Sequence, residues 1–359
     1  MKVKEPYKIF EPFYRKHNKT ISIKVDKVDI TEDEFIELFS EGVNNAVIDV
    51  SNNIFDDFIS KRKQLYKKYS NDVKKFNKRL YKRWEEPLNL LELFIYLSLE
   101  FGNKMKLEIF PTLKDNDFLP FTIIKLHAKA CQISGEILTL LKHGYSDGAM
   151  SRWRSLYETV IILFFIEKFG SKTAEKYLHY EVIESCKAID DYQKYCERFE
   201  MEPFTKRNVD EIKDIRNKLC NKYGINFREN YGWASNELGV KRPNFRMLED
   251  AVDFRHYRPW YRMASYHVHT SPKSMIFSLG VDPSKVILAG PSNMGLTDPA
   301  QNLVISLNHI NASLLSLDVD KDTKYESIIF SRFMFSLAKK IQEILFEIDK
   351  SFARDDFTN

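Results

Sequence analysis

The chain has 359 residues, 43% hydrophobic, 14% aromatic and 30% charged, with only 12 Gly and 12 Pro. That much apolar and aromatic material excludes long-range disorder, and so few turn-forming residues argue against an all-β sandwich or barrel. The formal net charge of +4 hides a concentration: Lys61 to Arg83 holds eleven Lys/Arg and one acid, Asp72, net +10, which leaves 44 basic and 50 acidic residues elsewhere, net −6.

Residues 1–50 read as a small irregular extension. Thr20 to Val25 alternates apolar and polar residues, which suits a short strand or extended arm. Thr31-Glu-Asp-Glu34 reads as a capping box that opens a helix through Phe35, Leu38 and Phe39. Residues 51–110 hold a basic amphipathic helix and then a hydrophobic one. Leu65, Tyr69, Val73, Phe76, Leu80 and Trp84 form a stripe at spacings of three and four, and the other faces carry the cations. The aromatics Tyr66, Tyr69, Phe76 and Tyr81 fall on or near that stripe and so read as core. Pro87 is expected to separate this helix from the next, Leu88 to Phe101.

Residues 111–359 read as one helical domain. Its expected helices are Phe121 to Lys142, Gly148 to Phe169, Ser171 to Phe199, Thr205 to Tyr223, Asn244 to His269 with a kink at Pro259, Ala300 to Leu317 and Lys324 to Phe352. Gly144 is placed as a helix stop, with Ser146 and Asp147 as the following cap. A Pro- and Gly-containing stretch, residues 270–299, is the longest expected loop. The fold class is therefore all-α, a helical bundle with an irregular or short-strand N-terminal extension.

The most apolar run, Thr159 to Ile166, is far short of the roughly 20 residues that a spanning helix needs. The first residues lack the apolar stretch of a secretory signal. Cys131, Cys186, Cys196 and Cys220 lie far apart, poor material for a zinc site or a disulfide framework. His127 and Cys131, four apart on a helix, are two candidate ligands and too few for a metal. The expectation is a soluble, cytoplasmic chain with reduced thiols, no cofactor, no metal and no stable membrane insertion.

The segment Arg258-Pro-Trp-Tyr261-Arg262-Met-Ala-Ser265-Tyr266-His267-Val-His269-Thr-Ser271 is the strongest candidate for chemistry. At about 100° per residue, Arg262, Ser265, Tyr266 and His269 share one helical stripe, and Arg258 sits one turn upstream. Arg supplies a permanent charge and forked donors for a phosphate, and His exchanges protons near neutrality. The same spacing also fits an Arg paired with a buried acid beside space-filling His residues. Upstream, Arg154 and Glu158 are spaced i,i+4 against a run that is apolar on every side. They read as an ion pair that fixes helix register, or as a support in which Glu158 orients Arg262 or His269. The basic segment (Lys61, Arg62, Lys63, Lys67, Lys68, Lys74, Lys75, Lys78, Arg79, Lys82 and Arg83) reads as a phosphate-backbone contact or a solvated face. Phosphate-cradling Gly motifs, His-Glu-x-x-His and Gly-x-Ser-x-Gly are missing from the sequence.

Gly148-Ala-Met-Ser-Arg-Trp-Arg154-Ser-Leu-Tyr-Glu158, followed by Tyr261-Arg262-Met-Ala-Ser265-Tyr-His-Val-His269-Thr-Ser271, resembles the bacterial domain-of-unknown-function family 5677 over roughly residues 120–271. The second motif also resembles the Arg-x(4–6)-His signature of the HEPN superfamily of helical proteins. That resemblance implies a metal-independent ribonuclease in phage defence or a toxin-like role, with a composite site at a homodimer interface and an antitoxin or other defence protein as a further partner. It assigns Arg262 to the scissile phosphate and His269 to proton transfer, with His267 the competing candidate and Ser265 beside them. Met263 departs from the polar residue often found after the Arg in catalytic members. The rival expectation is a non-catalytic helical interaction module with Arg262 and His269 structural; a nucleotide or small-molecule sensor with residues 270–299 as a lid has the least support.

Overall fold

Every regular element among the described residues (10–17, 31–269, 271–281 and 287–357 of the computed structural model) is helical. The all-α expectation holds for these residues; the strand expected at Thr20 to Val25 lies outside them. The chain divides into two compact units, residues 1–78 and 79–359.

In the first unit, α1 (Phe10–His17) packs on the N-terminal part of α2 (Glu32–Ile109). Phe13 is buried with its ring 5.9 Å from that of Phe58. Asp57 accepts from Lys16 at 2.8 Å and His17 at 3.2 Å and pairs with Lys61 at 2.9 Å. Hydrogen bonds from Lys16, Lys61 and His17 hold the Asp57 carboxyl well below the usual carboxylate range.

The second unit begins inside α2, which runs through Pro87 without a break. The expected separation there does not occur. Leu80, Trp84, Leu88, Leu91 and Phe94 are all buried, so the packed stripe continues on both sides of Pro87. Burial worth about 1.5–3 kcal/mol per large apolar side chain offsets the roughly 3 kcal/mol that an interior Pro costs. The core status expected for the upstream aromatics is corrected: Tyr66, Tyr69 and Tyr81 are exposed at 70%, 46% and 37%.

The remaining helices are α3 (Phe118–Lys142), α4 (Ser146–Phe169), α5 (Ser171–His179), α6 (Glu181–Tyr195), α7 (Lys206–Tyr223), α8 (Ser235–Leu238), α9 (Phe245–Ala251), α10 (Arg258–Val268), α11 (Pro272–Ile276), α12 (Thr297–Ser313) and α13 (Lys321–Phe357). Gly144 takes a positive φ of 78°, which ends α3 as its glycine suggested. Thr205 caps α7 by accepting from the Asn208 backbone N–H. Two expected long helices are divided instead. The one from Ser171 splits near Tyr180 into α5 and α6. The one from Asn244 is broken at residues 252–257, where Asp253 has φ 59°, while Pro259 sits in the first turn of α10. A first-turn Pro loses no helical hydrogen bond, so it starts a helix where a kink was expected. The expected loop 270–299 contains α11.

Helix α4 is the centre of this unit and packs against α3, α10 and α12. Trp153, Leu156, Val160, Ile161, Leu163, Phe165 and Ile166 are sealed from solvent. Polar stitches fix the register of these apolar surfaces. Trp153 donates to the Asn302 carbonyl at 3.0 Å and to Ser306 Oγ at 2.9 Å. His127 Nε2 meets Asn311 Oδ1 at 3.0 Å; Asn311 donates to Ser98 Oγ at 2.9 Å, and Ser98 donates to the Phe94 carbonyl at 2.8 Å. This chain links α3, α12 and α2. His127 is therefore a satisfied core histidine, and burial pushes it down to about 4.

Two outcomes are expected. A Cβ at Gly102 would overlap the His127 ring, so Gly102→Ala is expected to cost about 1–3 kcal/mol in urea denaturation. His127 has a folded pKa of about 4 against an ordinary 6.5. The unfolded chain thus binds its proton first, and stability falls as pH drops from about 6.5 to 4. The contribution is about 3 kcal/mol. It is read as the difference in acid sensitivity between the wild type and His127→Gln.

Candidate functional site

Helix α10 positions most of the expected site. Tyr261 and Ala264 are buried and seat the helix on the unit, while Arg262, one position on, is exposed. The helix is anchored at its start by Glu249, which is fully buried on α9. Glu249 accepts from Arg258 and from the Tyr157 hydroxyl, the latter at 3.0 Å. The same hydroxyl lies 3.0 Å from the Phe254 carbonyl. Burial pushes the Glu249 carboxyl up, opposed by Arg258 and Tyr157. Desolvation and the Glu249 charge push the Tyr157 hydroxyl far above its ordinary range, so it remains a donor.

Next along α10, Tyr261 forms the hub of a second cluster. Its hydroxyl donates to Glu158 Oε1 at 2.7 Å, and Arg154 Nε donates to the same oxygen at 3.1 Å. The Arg154 and Arg258 guanidiniums lie 4.8 Å and 5.0 Å from the Tyr261 ring centroid, within cation–π range. Burial works against the charge on Arg154, but Tyr261 and Glu158 outweigh it and raise its pKa. Arg154 Nη1 also donates to His269 Nε2 at 3.0 Å. Because an arginine has no acceptor, His269 Nε2 presents its lone pair and the neutral ring carries its proton on Nδ1.

The expected residues are thus brought together in part. Arg154, Glu158, Tyr261 and His269 form one connected group. The cation beside His269 is Arg154; the carboxylate of Glu158 reaches Tyr261 and neither Arg262 nor His269. His269 is exposed and lies just beyond the last residue of α10, where its backbone N–H still bonds the Ser265 carbonyl. Ser265 Oγ donates to the Tyr261 carbonyl at 2.7 Å, a bond within its own helix. His267 faces the start of α4, 3.6 Å from Asp147 Oδ1. The two oxygens of Asp147 already accept from Ser278 Oγ at 2.7 Å and the Leu279 N–H at 2.8 Å, and His267 Nε2 is buried without a hydrogen-bond partner.

Arg262 faces an open cavity of about 570 Å³, lined with Arg246, Arg255, His256, Arg258, Pro259 and Tyr266. Arg246 and Arg255 carried no signal in the sequence, since each stands among ordinary helix-forming or turn residues. Glu249 could have been suspected only as an acid within an apolar-rich helix. Of the basic segment, Lys61 is engaged by Asp57, Arg62 donates to the Ile59 carbonyl and Arg83 donates to Ser351. Lys63, Lys67, Lys68, Lys74, Lys75, Lys78, Arg79 and Lys82 are exposed. Among the described residues, no helix is long and apolar enough to cross a membrane, and no group of three or more His, Cys, Asp or Glu is placed to hold a metal ion.

Removing the Glu249 carboxylate strands the Arg258 guanidinium and leaves the Tyr157 hydroxyl with the Phe254 carbonyl alone. Glu249→Ala is expected to cost about 3 kcal/mol, measured by thermal and urea denaturation.

Residues 121–286 match DUF5677, a family of unknown function. The matched span includes both motif segments and so supports their resemblance to that family alone. No curated protein and no solved structure matches the chain.

Proposed function

We propose that this protein binds RNA and cleaves it by a metal-independent reaction, in phage defence or a toxin-like role. The observation that carries the reading is the 3.0 Å contact of Arg154 with His269 Nε2, at an exposed edge just past the end of the helix that carries Arg262. Arg154 and Arg262 would hold the phosphate. As Arg154 turns from His269 to the phosphate, the freed lone pair of His269 Nε2 would accept the proton of the RNA 2′-hydroxyl while that oxygen attacks phosphorus. The P–O5′ bond breaks, the 5′-oxygen takes a proton from water, and the products are a 2′,3′-cyclic phosphate and a 5′-hydroxyl end. The exposed cations of the Lys61 to Lys82 stretch support sequence-independent contact with the RNA backbone.

Arg262 and His269 are separated by seven residues, about 10 Å along the helix axis. That separation is compatible with a composite site completed by a second copy of the chain. An antitoxin or other defence protein would be the natural control on such an activity.

A non-catalytic interaction module is the second reading. It is favoured by Glu158, which joins α4 to α10 through Arg154 and Tyr261 as a structural ion pair would.

The experiment is RNA cleavage in excess EDTA by the wild type, Arg154→Ala, Arg262→Ala and His269→Ala, with circular dichroism on each. Cleavage with cyclic-phosphate ends, reduced about 100-fold or more in His269→Ala with its fold intact, is the expected result. No cleavage by any of them, with Arg154→Ala less stable than the wild type, would leave the module.

A further inference from the structure

The cavity beside Arg262 holds more positive charge than one phosphodiester can match. Arg246 comes from α9, Arg255 from the turn before α10, and Arg258 and Arg262 from α10 itself. Arg258 is tied to Glu249, and Arg255 lies 3.6 Å from Asp250. Arg246 and Arg262 have no carboxylate partner among the described residues. Four guanidiniums therefore face two carboxylates, a surplus of two positive charges. Arg258 Nε is in addition buried with no hydrogen-bond partner.

We propose that this cavity binds a group of two or three linked phosphates, the 5′-polyphosphate of a nucleotide, either free or at the end of an RNA. A phosphodiester carries one negative charge and leaves the surplus unmatched. A diphosphate or triphosphate carries at least two and offers enough oxygens for several forked guanidinium contacts. The volume of about 570 Å³ exceeds what phosphates alone would fill and lies within the range of sites that hold a whole small ligand. Tyr266 and His256 supply flat rings in its wall against which a base can stack. The proposal shares Arg262 with the cleavage reading but does not depend on cleavage.

The test is isothermal titration calorimetry in EDTA with tripolyphosphate, ATP, AMP, orthophosphate and one RNA sequence bearing either a 5′-triphosphate or a 5′-hydroxyl. The proteins are the wild type, Arg246→Ala and Arg246→Lys, because Arg246 is exposed and outside the residues assigned to cleavage. Tripolyphosphate and ATP are expected to bind about tenfold or more tightly than orthophosphate and AMP. Arg246→Ala is expected to lose about tenfold, and Arg246→Lys to recover only part, because a lysine keeps the charge and loses the fork. Tighter binding of the triphosphate RNA than of the hydroxyl RNA would identify an RNA end as a source; equal binding of the two RNAs, with ATP still bound, would identify the free nucleotide. Equal affinity for tripolyphosphate and orthophosphate, no binding of either, or an unchanged Arg246→Ala would overturn the proposal. Binding is read without turnover, so a failure here and a failure of RNA cleavage are separate results.

Discussion

A carboxylate removed entirely from water must be compensated, and Glu249 meets that requirement in a way that organises the exposed end of the second unit. Its two partners come from different elements: Tyr157 from the central apolar helix α4, and Arg258 from the first turn of α10. The need to keep both bonds fixes where α10 begins. That start in turn decides which face carries Tyr261 into the interior and which carries Arg262 outward. The Tyr261–Glu158–Arg154 cluster joins α4 to α10 about one turn further on, here through a single carboxylate oxygen where Glu249 uses both of its own.

Apolar surfaces alone would leave these helices free to slide. Leu, Ile and Phe side chains on α3, α4 and α12 are close to interchangeable in transfer energy, so register needs directional contacts. The Trp153 bond to Asn302 and Ser306 and the His127–Asn311–Ser98 chain supply them. A buried polar group that loses its partner costs more than a mispacked methylene, which makes these few bonds strong selectors of one arrangement.

The two guanidinium populations around α10 differ in consequence. Arg154 and Arg258 are held by carboxylates and an aromatic ring, and their positions are set by the fold. Arg262 and Arg246 have no carboxylate partner among the described residues and line the cavity. Fixed cations have their positions set by the fold, whereas exposed ones are free to contact an anion. Of these four, Arg154 is the one in contact with His269, and the proposed cleavage reading rests on that pair.

By itself the sequence determined the helical class, the ends of several helices and the two short motif segments that fall within the family match. Period-3.6 apolar stripes and the Gly144 stop are local signals that act within a few residues. Arg154 and Glu158 were legible as a pair for the same reason. What only the tertiary structure decided involves partners distant in sequence. Arg154 finds His269, 115 positions away, and Tyr157 finds Glu249, 92 positions away. Pro87 does not break its helix because packing on both sides outweighs its local cost, and the helix expected from Asn244 breaks at residues 252–257 instead. Arg246 and Arg255 join Arg262 only because the chain folds back between α9 and α10, a juxtaposition that periodicity cannot encode.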